Sequence, residues 1–155
     1  ENWWTEEDRA RFEERTKRLI EQYNALTPRD LEGEEPPLHV NGALTLGENI
    51  GDLAGLSIAW QAYVSRLKEK GETPQTAPAI DGLTAAQRFF TSWARGWRTA
   101  IRREFAKQLL SIDPHSPAEF RCNQVVANMD SFAEAYDLAP DDALWIAPNE
   151  RVRIW

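Results

Sequence analysis

Glu48 and Asp52 stand four residues apart in the segment NGALTLGENIGDLAGL, residues 41–56, at the start of an otherwise apolar helical pattern. Side chains at i and i+4 share one helix face, about 5–6 Å apart at Cβ. That spacing lets the first carboxylate ligate a metal while the second orients a neighbouring ligand. A zinc site needs further ligands, usually His or Cys. The chain offers only His39, His115 and Cys122, at spacings that form no recognised ligand pair, and it has no H-E-x-x-H. The pattern is half of a metal site. Taken alone, the same residues have a plainer meaning: in T-L-G-E, Glu48 is a capping-box acid folding back on the helix start, where caps contribute about 0.5–2 kcal/mol. Asp52 would be a solvated first-turn acid. On periodicity alone the plainer meaning prevails.

The elements that must position these residues are nearly all α. A Ser or Thr followed three residues later by an acid or Gln recurs at Thr5–Asp8, Thr45–Glu48, Thr84–Gln87, Ser116–Glu119 and Ser131–Glu134, each a helix-start signal. The spacing of apolar residues predicts a first helix over about 6–26, with Phe12, Leu19, Tyr23 and Leu26 on one side. A loop rich in Gly, Pro and acids follows. A second helix, about 46–70, carries Leu53, Leu56, Trp60, Tyr63, Val64 and Leu67 as a stripe. Its small residues Gly51, Ala54, Gly55 and Ala59 predict close approach of another backbone. Further helices are expected over 85–101, over 103–110, from Pro117 to about 128, and briefly from Phe132. The tail from Leu138 is irregular, and its R-V-R-I-W could pair as an edge strand.

A chain of 155 residues with 42% hydrophobic content is read as one domain. Its formal charge of −7 argues against nucleic acid or an anionic membrane as a partner of the whole chain. No apolar run approaches the roughly 20 residues that cross a bilayer. A single cysteine, Cys122, rules out an internal disulfide and fits a small core residue better than a nucleophile. The start at Glu1, with Met129 as the only methionine, is read as the mark of a processed, truncated or engineered chain.

The string N-G-x-x-T-L-G-E-N-I-x-D resembles the E-N-I-A-D region of the neprilysin-type zinc metallopeptidases, family M13. W-W-T at 3–5, R-F-F-x-x-W-A-x-x-W at 88–97, D-P-H-S-P-A-E-F-R at 113–121 and the closing R-V-R-I-W have counterparts there in the same order. The resemblance covers essentially the whole chain. It implies an all-α C-terminal portion of a thermolysin-like, gluzincin catalytic domain spanning 1–155. It implies Glu48 as the third zinc ligand and Asp52 as the acid that orients a zinc-bound histidine. His115 matches the histidine that stabilises the oxyanion, and Arg121 the arginine that contacts the substrate's carbonyl or terminal carboxylate. Asp113 is placed to orient His115. The family's H-E-x-x-H, which supplies two ligands and the general base, is absent. The implied partner is therefore the N-terminal part of the same protein, and zinc is expected in the parent rather than in this chain, which is expected to be inactive alone. Peptide substrates and an extracytoplasmic parent of bacterial type follow from the resemblance only. Gly51 stands where the family usually has Ala, and Cys122 and Gln124 where it commonly has Val and Gly.

A competing reading is a non-catalytic helical interaction domain. Between Arg88 and Lys107, six basic residues face one acid, Glu104, interleaved with Trp93 and Trp97. Such a stretch is more often the solvated side of a helix with an aromatic core face. An inactive short paralogue is the third option. The apolar stripe of the second helix is expected to be partly uncovered in isolation, favouring self-association.

Overall fold

The computed structural model describes residues 4–154. Trp3 of W-W-T and Trp155 of R-V-R-I-W lie outside the described residues. The helices are α1 (Glu6–Asn24), α2 (Leu46–Glu69), α3 (Ala85–Gly96), α4 (Arg103–Ile112), α5 (Ala118–Ala127) and α6 (Asp130–Ala135), with a 3₁₀ turn at Arg29–Leu31. Among the described residues the only β-type pairing is an isolated bridge, Ile80 with Leu83. The chain forms two compact units: residues 1–50, 100–117 and 152–155 in one, 51–99 and 118–151 in the other.

In the first unit, Thr5 caps α1. Its Oγ1 accepts from the Asp8 amide at 3.1 Å, and the acids Glu6, Glu7 and Asp8 sit where the helix dipole is positive. Thr16, Leu19 and Tyr23 form the buried face. Phe12 is only half-buried and packs its ring 5.3 Å from that of Trp4. The loop after α1 returns because Gly42 has no side chain: a Cβ there would lie 2.4 Å from the Ile20 carbonyl oxygen. The Gly42 amide donates instead to Asn24 Oδ1 at 2.8 Å. On α4, Arg103 and Lys107 grip Glu34 at 2.8 and 2.7 Å, and Arg103 also donates to the Asp30 carbonyl. The expected edge strand at the tail does not form. Val152 and Ile154 are buried along an irregular segment, and Arg15 donates to the Ile154 carbonyl at 2.7 Å.

In the second unit, Leu53, Leu56, Phe90, Val125, Val126 and Met129 make the core, with Trp60, Phe89, Trp93 and Phe132 packed against it. Trp60 stacks on Phe90 with centroids 5.2 Å apart, and Phe132 meets Phe90 edge-on at 5.3 Å. A smaller cluster holds Leu67, Ala77 and Ala85. Three residues of the α2 stripe, Leu53, Leu56 and Leu67, are buried, and Trp60, Tyr63 and Val64 are half-buried. Half of the stripe is thus only partly covered. Ile58 is a large hydrophobic residue exposed on this helix. The close approach expected at Gly51 and Gly55 is not made, since a Cβ at either meets nothing within 4 Å.

Helix ends follow local chemistry. Thr84 and Gln87 complete a reciprocal capping box on α3. That helix stops at Gly96 rather than near 101, its end tightening into i→i+3 bonds from Trp97 to Ala94 and from Arg98 to Arg95, as helix termini commonly do. α4 runs two residues beyond expectation, to Ile112. It ends there because Asp113 precedes Pro114 and is held extended, ψ 128°, as a residue before proline must be. Ser131 lies inside α6, whose N-cap is Met129 without a side-chain bond.

Candidate functional site

In the first unit, the start of α2 is held by a chain of polar side chains. Thr45 Oγ1 donates to the Asn41 carbonyl at 3.1 Å and accepts from Asn49 Nδ2 at 2.9 Å. Asn49 Oδ1 in turn accepts from Ser116 Oγ at 2.7 Å. Asn49, Ser116 and Thr45 are all buried. Ser116 thus gives its hydroxyl proton to the start of α2.

The residue before Ser116 is His115, and the residue before Asn49 is Glu48. Their side chains meet: His115 Nε2 lies 3.2 Å from Glu48 Oε2, with each side chain close to half exposed. The other ring nitrogen, Nδ1, is 2.7 Å from Asp113 Oδ1. The same oxygen accepts the His115 amide at 2.9 Å, an Asx turn that fixes the ring through its own backbone. An imidazole flanked by two carboxylates can donate to both only as the imidazolium, because the neutral ring carries one N–H. Glu48, Asp113 and His115 are thus brought together in the first unit.

In the second unit, Asp52 and Arg121 form a fork. Arg121 Nε and Nη2 donate to Asp52 Oδ2 and Oδ1 at 2.7 and 2.9 Å. The guanidinium also lies over Trp97, its Cζ 4.4 Å from the ring centroid, and Trp97 meets Trp93 edge-on at 5.2 Å. Planarity suits arginine to both contacts at once. One edge is held by a carboxylate and one face by an indole, so the orientation of the guanidinium is fixed in two directions. Cys122, next in sequence, is half-buried, and burial pushes its thiol pKa up, the reverse of what a nucleophile needs. His39, the other imidazole, pairs its Nδ1 with Thr27 Oγ1 at 3.0 Å and belongs to neither constellation.

The sequence reading lacked three of these contacts. Nothing local links Asp52 to Arg121 or Asn49 to Ser116, since they are 69 and 67 positions apart. Trp97 carried a signal only as the last residue of W-A-x-x-W.

Among the described residues, no three or more His, Cys, Asp or Glu side chains are grouped to hold a metal ion. A catalytic zinc takes three protein ligands and an open position. The half-exposed Glu48 carboxylate is a donor of the type that fits one ligand of such a set.

A profile of peptidase family M13 matches residues 1–152. Neprilysin-1 of Caenorhabditis elegans is 36% identical over 154 residues, covering 99% of this chain and 20% of the relative. Neprilysin of Homo sapiens is 34% identical over the same length and with the same shares. Among solved structures, the Mycobacterium tuberculosis zinc metalloprotease Zmp1 in complex with an inhibitor aligns with a TM-score of 0.93 and 56% identity, over 100% of this chain and 23% of that one. The chain thus spans about one fifth of the length of the curated relatives it matches.

Proposed function

The chain belongs to peptidase family M13, and we propose that it supplies a zinc metalloendopeptidase with one metal ligand, Glu48, and two side chains that face a bound peptide, His115 and Arg121. The observation that carries this reading is the Glu48–His115 contact, in which a carboxylate and an imidazole are both accessible and the imidazole is held by Asp113 through its ring and its own amide. When bound, zinc supplies Lewis-acid polarisation and an activated water. The chain's own residues do the rest of what is assigned here. Asp113 holds the His115 ring through Nδ1, which leaves Nε2, beside Glu48, as the nitrogen assigned to the oxygen on which charge develops when a peptide carbonyl is attacked. Arg121, braced by Asp52 and Trp97, offers donors to a substrate carbonyl or carboxylate. Asp52 is the acid assigned to orienting a histidine ligand supplied from elsewhere in the parent, and its bond to Arg121 ties metal support to substrate contact.

This chain alone lacks the histidines and general base of H-E-x-x-H, so it hydrolyses no peptide by itself. The substrates of the parent are small peptides, met in an extracytoplasmic compartment, the placement common to neprilysin-type enzymes. Among the described residues no helix is long and apolar enough to cross a membrane.

The test is zinc content and peptide hydrolysis of Glu48→Ala in the complete peptidase that carries this sequence. Loss of both is expected, and retention of zinc with full turnover overturns the assignment. A non-catalytic interaction module drew its support from the basic stretch 88–107. In the structure Arg103 and Lys107 are engaged by Glu34, and Arg88 donates to the Pro78 and Leu83 carbonyls, so half of its six bases serve contacts within the chain.

A further inference from the structure

We infer that Asn49 and Ser116 are positioning residues: their buried hydrogen bond fixes the Glu48–His115 pair, and so sets where the imidazole is presented. The inference rests on the catalytic reading above for its kinetic consequence, although the geometric claim stands without it.

Ser116 is 4% and Asn49 1% exposed. The two are the immediate neighbours of His115 and Glu48. Their 2.7 Å bond therefore joins the two backbone segments that carry the imidazole and the carboxylate, one residue from each. Asn49 cannot swing to follow a moving partner. Its amide is committed to Thr45 Oγ1 at 2.9 Å, Thr45 Oγ1 donates onward to the Asn41 carbonyl, and the Asn49 amide N–H is part of the α2 ladder, bonded to the Thr45 carbonyl at 3.0 Å. Every side-chain member of this relay has a partner, which is the condition under which a buried polar network rigidifies rather than destabilises.

On its own side His115 is tied down by the Asx turn to Asp113, and across to α2 by its 3.2 Å contact with the half-exposed Glu48 side chain. Asp113 and His115 lie in the exposed segment between α4 and α5, where Pro114 and His115 are exposed. Without Ser116 the Asx turn would survive as a unit, but nothing in the relay would hold that unit against the start of α2. The chemistry thus separates two tasks: Asp113 sets the ring's orientation, and Ser116 with Asn49 sets its distance from Glu48.

Ser116→Ala removes the donor and Ser116→Thr keeps the hydroxyl. Ser116→Cys, close to serine in size and a weak donor, serves should the alanine variant fail to fold. In the chain itself, nuclear Overhauser contacts between the His115 ring and the Glu48 side chain are expected in the parent sequence and in Ser116→Thr, and lost in Ser116→Ala or Ser116→Cys while circular dichroism stays helical. In the complete peptidase, the same variants should lower kcat about 10–100-fold with KM and zinc content unchanged, and threonine should restore it. Retained ring contacts overturn the inference, as does a fall in activity that accompanies ring contacts left intact. If His115→Ala leaves kcat unchanged, the catalytic reading fails, and the ring contacts alone decide the positioning claim.

Discussion

Arg121 reaches across 69 positions of sequence to donate two hydrogen bonds to Asp52, one to each carboxylate oxygen. Their side chains are 19% and 11% exposed, so water screens this pair weakly. Hydrogen bonds to charged groups contribute about 1.5–3 kcal/mol, more when removal strands a partner. Arg121→Met should therefore destabilise the chain by about 2–3 kcal/mol in urea titration. Asp52→Asn should cost less, because an amide still accepts from one N–H. The double variant should fall short of the sum by about 0.5–3 kcal/mol. Strict additivity would mean that the fork contributes no coupling.

Two glycines should respond to alanine with opposite sign. At Gly42 the new Cβ would meet the Ile20 carbonyl oxygen at 2.4 Å, and backbone cannot yield as a flexible side chain does. A loss of about 1–3 kcal/mol is expected, the range for overpacking. At Gly51, exposed within α2 and with open space around it, alanine should stabilise by about 0.5–1 kcal/mol through helix propensity. Thermal melts of both variants give the two signs directly, and a stabilising Gly42→Ala would remove the account of how the loop docks on α1.

These glycines mark what the sequence could convey. Helix positions were legible because apolar spacing and Ser/Thr caps are local signals: the starts of α1, α2 and α3 lie where Thr5, Thr45 and Thr84 place them. Helix ends were less so. Nothing in F-F-T-S-W-A-R-G-W requires a stop at Gly96, whereas Asp113–Pro114 did carry a stop signal. The small residues of α2 implied a close neighbour, yet the tight approach sits at Gly42, because a glycine's sequence does not say which backbone passes it. Glu48 and His115 came from a motif resemblance, not from periodicity, which made Glu48 a cap. The relay through Asn49 and the bracing of Arg121 by Trp97 are tertiary, and no local spacing encodes them.

Cys122 tests the burial of α5 directly. Desolvation raises its thiol pKa, and the thiolate is the reactive form. Labelling by a thiol reagent at neutral pH should thus be slower than for a free cysteine peptide, and should reach the peptide rate once urea unfolds the chain. Rapid labelling of the folded chain at pH 7 would show the thiol to be open and activated.

The grip of α4 on the loop after α1 should depend on pH. Hydrogen bonds from Lys107 and then Arg103 lower the Glu34 pKa. A carboxyl whose folded pKa lies below its unfolded value stabilises the fold above the unfolded value, about 4.3. That contribution is lost as pH falls through the folded value, because the unfolded chain then binds the proton more readily. Melting temperature measured from pH 7 down to 3 should consequently fall more steeply for the parent sequence than for Glu34→Gln, which has no such proton to gain. The two curves should converge at the acid end. Lys107→Met should flatten the curve more than Arg103→Met, since the lysine contact is the larger cause of the shift. Parallel curves for the parent and Glu34→Gln would show that the ion pairs seen between Glu34 and α4 do not persist in solution.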